Sequence, residues 1–304
     1  MDYSVISSKI RKLKKERNAV ILAHNYQRPE VQDLADFIGD SYGLSRQAAE
    51  TKADVIVFCG VDFMAETAKI LNPEKTVLIP ALEALCPMAM LLTSNHIVEA
   101  RKRYPGAEVV LYVNTHAEQK ALADCVCTSG NAVEVVNAMG SDTVIFGPDV
   151  NLAHYVQRRS VKKIVPVPEK GICYTHHQIT LKDVELARKK HPNAKLVVHP
   201  EVPPEVQEAA DSIASTTGII EYCRKSGAKE FIIGTEKGIL YRMGKDMPGK
   251  KFYPASEMAV CATMKTITLE KVLYSLETLQ NQIEVPGGVA EKARKALQRM
   301  LEIT

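Results

Sequence analysis

VLIPALEALC at 77–86, VPVPEKGIC at 165–173 and FYPASEMAVC at 252–261 are three versions of one ending. Each has a strand-like run with a proline at or near its end, a nearby glutamate, and a closing cysteine. Cys86, Cys173 and Cys261 stand 87 and 88 residues apart, and the interval is not confined to cysteine. Gly60, Gly147 and Gly234 end the apolar runs VIVFCG, TVIFG and FIIG, and His24, Tyr112 and His199 close AVILAH, EVVLY and KLVVH. Asp36, Asp124 and Asp211 recur, each in an Ala-Asp pair, as do Gly43, Gly130 and Gly218. One unit is written three times, and each copy delivers one cysteine. Three tandem copies are expected to pack around a pseudo-threefold axis, which brings the three thiolates to one point. No fourth cysteine of the pattern completes the set, and an open position is what separates catalytic metal centres from closed structural ones.

The bulk properties bound the reading. A chain of 304 residues accommodates three small units, and 46% apolar with 25% charged residues is ordinary for a globular protein. A net charge of +3 is too weak to argue for nucleic acid as a partner, and no apolar run approaches the ~20 residues that span a bilayer. The start, MDYSVISSKIRKLKKERN, lacks a signal-peptide core and reads as an amphipathic helix. A cytoplasmic, reducing location is expected, where thiols serve metals or catalysis rather than disulfides.

Within each copy, apolar runs of four to six residues alternate with helix-patterned segments, the mark of a parallel α/β sheet. In the first copy the basic helix is followed by strand AVILA, helix VQDLADF, a short strand or turn near IGDS and helix LSRQAAETK. Strand DVIVFC, helix DFMAETAKIL and strand TVLIP then lead to Cys86. The fold expected is α/β: three homologous three-layer domains, each with a parallel sheet. Their bounds are 1–84 with the tail 262–304, then 85–171, then 172–261. Ile179-Thr180-Leu181 recurs as Ile267-Thr268-Leu269, so the tail starts a fourth copy and is expected to fold back on the first unit.

Parallel sheets bind ligands beyond the carboxyl ends of their strands. There lie His24-Asn25-Tyr26, Tyr112-Val113-Asn114 and His199-Pro200-Glu201. Ser41, Ser129 and Thr216 precede or open helices, where hydroxyls and free N–H groups suit an anion; plain N-capping is the alternative. The histidines, tyrosines and Glu201 form an acid–base set, although a lone histidine after a strand is often only structural. Cys59, Cys125, Cys127 and Cys223 read as packing residues. For Cys86, Cys173 and Cys261, thiolate chemistry leaves an iron–sulfur cluster with an open iron and a zinc ion both standing.

HNYQ at 24–27, GDS at 39–41, GVDFMAETAKIL at 60–71, CPMA at 86–89, YVNT at 112–115, CTSGNAV at 127–133, HPE at 199–201, GTEKG at 234–238 and MAVCATMKTITLE at 258–270 together resemble quinolinate synthase, the NadA family. The resemblance runs over essentially the whole chain. It implies a transferase of NAD biosynthesis that condenses iminoaspartate (iminosuccinate) with dihydroxyacetone phosphate to quinolinate, phosphate and water. It implies a 4Fe-4S cluster with Cys86, Cys173 and Cys261 as its three ligands and one open iron, and it brings in as a partner the enzyme that supplies iminoaspartate. His24, Ser41, Tyr112, Asn114, Ser129, His199, Glu201 and Thr216 match positions that hold substrate. Tyr26 and Glu201 match acid–base residues, with His24 and His199 beside them as catalytic candidates, and His176 and Lys265 match the surroundings of the site. Two departures stand out: Cys261 is not part of a CxxCxxC run, and HPEV replaces the common HPEC.

Overall fold

Strands form where the β-branched runs place them. In the computed structural model, which describes residues 3–303, they are β1 (Ala19–His24), β2 (Phe37–Gly39), β3 (Val55–Cys59), β4 (Thr76–Leu78), β5 (Glu108–Tyr112), β6 (Cys125–Cys127), β7 (Thr143–Gly147), β8 (Lys163–Pro166), β9 (Lys195–Val198), β10 (Ser212–Ile213), β11 (Glu230–Gly234) and β12 (Lys251–Pro254). Met1 and Asp2, at the head of the expected first helix, and Thr304 lie outside the described residues. The strands form three sheets of one topology, β2-β1-β3-β4, β6-β5-β7-β8 and β10-β9-β11-β12. Every pairing among them is parallel. The first strand of each copy therefore sits between its second and third, so strand order reverses beside it and a crevice opens at its carboxyl end.

The recurring aspartates explain themselves in this frame. Asp36 accepts the Ile21 N–H at 2.7 Å, Asp124 that of Val109 at 2.7 Å and Asp211 that of Leu196 at 2.8 Å. Each returns its own N–H to the carbonyl of the same residue, at 2.9 Å. A basic side chain from the preceding helix meets each carboxylate: Lys14 at 2.6 Å, Arg101 at 2.8 Å and Arg188 at 3.6 Å. The first strand is thus stapled at its amino end in all three copies. The recurring glycines answer to close approach, since a Cβ on Gly147 would lie 2.0 Å from the Val167 carbonyl oxygen and one on Gly234 2.6 Å from Val198.

One expected helix is displaced. The run VQDLADF carries only the end of a short helix, Pro29–Gln32, and Phe37 already pairs with Leu22 as part of β2. The staple at Asp36 takes the chain out of helical geometry one residue earlier. The repeated Ile-Thr-Leu starts do open helices, with Thr180 capping Leu181–Lys190 and Thr268 capping Leu269–Thr278 through their hydroxyls.

The tail reaches further than the first unit. The Leu269–Thr278 helix packs on the Tyr3–Glu16 helix, and Asn281 and Ile283 bond backbone to backbone with Ile79 and Val77 beside β4. The last helix, Gly287–Ile303, lies against both the Asp62–Leu71 helix and β6 of the second sheet. Arg294 donates to the Ile70 carbonyl at 2.8 Å, and Arg299 pairs with Glu108 at 2.9 Å. No helix among the described residues is long and apolar enough to cross a membrane.

Asp124→Ala removes the acceptor from a strand N–H and breaks an ion pair, which should cost about 1–3 kcal/mol. Denaturant unfolding of the purified protein checks this, with Asp124→Asn expected to recover part of the loss because its amide oxygen still accepts.

Candidate active site

The three sheets point their carboxyl ends at one cavity of about 230 Å³. His24, Tyr26, Ser41, Tyr112, Asn114, Ser129, His176, His199, Glu201 and Thr216 line it together with Cys86, Cys173 and Cys261. Of the residues singled out by sequence, Lys265 alone is missing from the wall. Its ammonium pairs with Glu236 at 3.1 Å and donates to the Tyr26 carbonyl, so it braces the Tyr26 loop from behind.

The loops after β1, β5 and β9 carry the polar residues, and each is held by one buried donor. Gln32 Nε2 donates to the carbonyls of Asn25, Gln27 and Gly238, and Gln207 Nε2 to those of Pro200, Val202 and Asn151. In the second copy the buried Lys120 ammonium holds the Thr115 carbonyl instead. Gly238 and Asn151 belong to neighbouring copies, so the two glutamines also join the units.

A continuous hydrogen-bonded chain crosses the site. Tyr26 Oη lies 2.6 Å from Thr235 Oγ1, which lies 2.8 Å from His176 Nε2. His176 Nδ1 is 2.6 Å from Glu201 Oε2 and 3.0 Å from Cys173 Sγ. His199 Nε2 meets Ser129 Oγ at 3.0 Å, and its Nδ1 lies 3.6 Å from Glu201. With Tyr26 a phenol and Glu201 a carboxylate, one proton assignment suits the first chain. Tyr26 donates to Thr235, Thr235 donates to His176 Nε2, and His176 Nδ1–H donates to Glu201. Sequence reasoning gives Thr235, at the end of its strand, no role in the site. It occupies the register of Val61 and Pro148, and the hydroxyl in the third copy alone was the available signal.

Electrostatics divide the roles. Burial lowers the pKa of His24 and of His199 to about 3, so both imidazoles are neutral hydrogen-bonding groups at ordinary pH. Burial, reinforced by Glu201, holds Tyr26 and Tyr112 well above the usual phenol range, leaving them as proton donors. For Glu201 burial opposes ionisation, but His176, which donates to it at 2.6 Å, outweighs it and holds the carboxyl below its ordinary range. Its Oε1 and the Oδ1 of Asn114 are buried without a hydrogen-bond partner, two acceptors available to something in the cavity.

The helix starts beside the cavity are not simple caps by the predicted hydroxyls. Asp40 and Ser215 do the capping of Ser41–Glu50 and Thr216–Lys225, which places Ser41 and Thr216 at the first helical position. Thr216 Oγ1 accepts from Asn25 at 3.0 Å. Ser129 lies in the turn ahead of the Ala132–Ala138 helix.

The thiols suit a metal group larger than one ion. Each cysteine precedes a short helical turn, at Pro87–Leu91, Tyr174–His177 and Met264–Thr266. Burial drives the thiols of Cys86 and Cys173 far up in pKa, so a metal's charge would be needed to ionise them. Among the described residues the one close donor group, with ligand atoms within 4.8 Å of each other, is Cys173, His176 and Glu201. The three sulfurs share a cavity without forming such a group. Zinc, at ~2.3 Å from each sulfur, would draw them closer than that. Cys59, Cys125, Cys127 and Cys223 are fully buried in strands and a helix, away from the wall.

The sequence is similar to known enzymes throughout. The family described as "Quinolinate synthetase A protein", NadA, matches residues 8–302. A quinolinate synthase of Pyrococcus horikoshii is 60% identical over 295 residues, covering 97% of this chain and 98% of that one. That of Thermococcus kodakarensis is 57% identical over the full length of both chains. That of Methanocaldococcus jannaschii is 52% identical, with 98% of this chain and 99% of its own covered. Matched over nearly its whole length, the chain belongs to the NadA family of quinolinate synthetases, enzymes of NAD biosynthesis.

Proposed function

We propose that the protein condenses iminoaspartate (iminosuccinate) with dihydroxyacetone phosphate to give quinolinate, phosphate and water, with Cys86, Cys173 and Cys261 holding a 4Fe-4S cluster that has one open iron. The observation that carries this reading is that three spread thiols line the same cavity as Tyr26, His176 and Glu201, which Thr235 joins into one hydrogen-bonded chain from behind the wall. When bound, the cluster supplies a Lewis acid for a substrate oxygen at the open iron.

The protein's own groups do the rest. Ser41, Ser129 and Thr216, with the N–H groups at the adjoining helix starts, receive the two carboxylates and at first the phosphate. His24 and His199, neutral at ordinary pH, orient these anions without a competing charge, and Tyr112 donates from the second unit. Asn114 Oδ1 accepts from the substrate nitrogen. Tyr26 gives and takes a proton as the condensed product shifts between keto and aldehyde forms. Glu201 uses its unpaired Oε1 as the base for dehydration, and Thr235 and His176 link it to Tyr26. Lys265 holds the Tyr26 loop through the backbone.

A single zinc ion on Cys173, His176 and Glu201 is the second reading, favoured by their close spacing. Anaerobic purification with a visible spectrum and iron, sulfide and zinc analysis separates the two. Iron and sulfide in equal amounts with brown colour support the cluster; zinc without sulfide supports the ion.

Cys86→Ser should lose both colour and quinolinate formation, and full activity in a colourless variant would remove the cluster from the chemistry. Glu201→Gln should stay brown yet turn over about 100-fold or more slowly, the usual scale for a lost general base, as read by quinolinate release. Thr235→Val keeps the side-chain shape but cuts the link between Tyr26 and His176. Its kcat should fall by about tenfold or more, with Thr235→Ser restoring most of it.

A further inference from the structure

The cysteines are tied from behind as well as facing the cavity. The backbone N–H of Cys86 donates to Asp62 Oδ1 at 3.0 Å, that of Cys173 to Asp149 Oδ2 at 3.0 Å, and that of Cys261 to Glu236 Oε1 at 3.3 Å. These acids stand two residues beyond Gly60, Gly147 and Gly234, at one register position of the three copies. Three copies have diverged at most places around the cavity, yet all three keep a carboxylate here and use it on the same atom.

What lies behind each carboxylate differs. Asp62 Oδ2 meets His116 Nε2 of the second unit at 2.8 Å. The fully buried Lys120 sits nearby, its ammonium 5.4 Å from the centre of the Phe63 ring, with Glu66 and Asp62 as its acidic neighbours. Glu236 pairs with Lys265, and through it with the loop that carries Tyr26. Asp149 meets backbone N–H groups, those of Cys173 and Leu152, and no basic side chain lies within ion-pair reach of it among the described residues.

We propose that Asp62, Asp149 and Glu236 are the positioning residues of the metal centre: each fixes the backbone of its own cysteine, and so the direction of the thiolate, before iron arrives. This rests on the reading of the three cysteines as cluster ligands. Each bond, at 3.0 to 3.3 Å, gives the cysteine N–H one fixed acceptor and so holds that peptide in one orientation. Groups of this kind, one step behind the ligands, typically change metal affinity by about 10–100-fold when removed.

The test uses the full chain, loaded with iron and sulfide anaerobically, as wild type and as Asp62→Ala, Asp62→Asn, Glu236→Ala and Glu236→Gln. The rate at which a chelator bleaches the visible absorption is read, and melting of the metal-free proteins reports folding. The alanine variants should bleach about tenfold or more faster than wild type. The amide variants, which keep an oxygen acceptor for the cysteine N–H, should bleach near the wild-type rate. Folded alanine variants that bleach at the wild-type rate would overturn the positioning role. Should the alanine variants fail to fold, Asp62→Glu and Glu236→Asp decide, because they keep the acid but move its oxygens: bleaching at the wild-type rate overturns the proposal, and faster bleaching supports it. Wild-type protein that takes up no iron would instead overturn the cluster reading beneath it.

Discussion

An ionised carboxylate buried where three sheets meet is the constraint around which the molecule is arranged. Glu201 is 2% exposed, and burial alone would neutralise it. It stays charged because His176 donates to one oxygen at 2.6 Å, while His199 holds its backbone by accepting the Glu201 N–H at 3.3 Å. Those imidazoles come from the third unit, whereas the partners that orient them come from elsewhere. Ser129 of the second copy bonds His199, and Tyr26 of the first joins the Thr235–His176 chain. The groups that orient those imidazoles lie on the other two copies, so a working site requires all three units at once. This is a physical reason for the copies to remain on one chain.

The repeat itself was plainly written in the sequence, because the interval is carried by residues with a backbone duty. Asp36, Asp124 and Asp211 staple first strands, Thr180 and Thr268 cap helices, and Gly147 and Gly234 admit a close neighbour. Such duties depend on local geometry, which a repeat preserves. The helix expected at VQDLADF fails for the same reason: Asp36 staples the chain to β1 where the apolar pattern would continue a helix. The cavity wall was legible too, since the carboxyl ends of parallel strands are where ligands bind.

Contacts made across units were not legible. Gln32 and Gln207 look like ordinary solvated helix residues, yet each holds three carbonyls and reaches a neighbouring copy. Lys120 reads as a surface lysine but is fully buried, doing for the second loop what glutamines do for the other two. Lys265 matches the surroundings of the site by motif, and only its direction in space reveals that it braces Tyr26 rather than lining the wall. The last helix extends past the first unit to the second because its apolar face has two neighbours to cover, and a periodic pattern does not name them.

The first helix and one far along the chain meet. The helix at Tyr3–Glu16 packs on Leu269–Thr278, and Arg17 bonds the Glu277 carbonyl 260 residues away. During synthesis the first sheet therefore leaves the ribosome with one flank bare, and it keeps that flank bare until both later sheets and the Leu269–Thr278 helix have been made. The unit translated first is thus closed by a helix made after the other two sheets. Until then a nascent chain of this design exposes apolar surface for which a chaperone can compete.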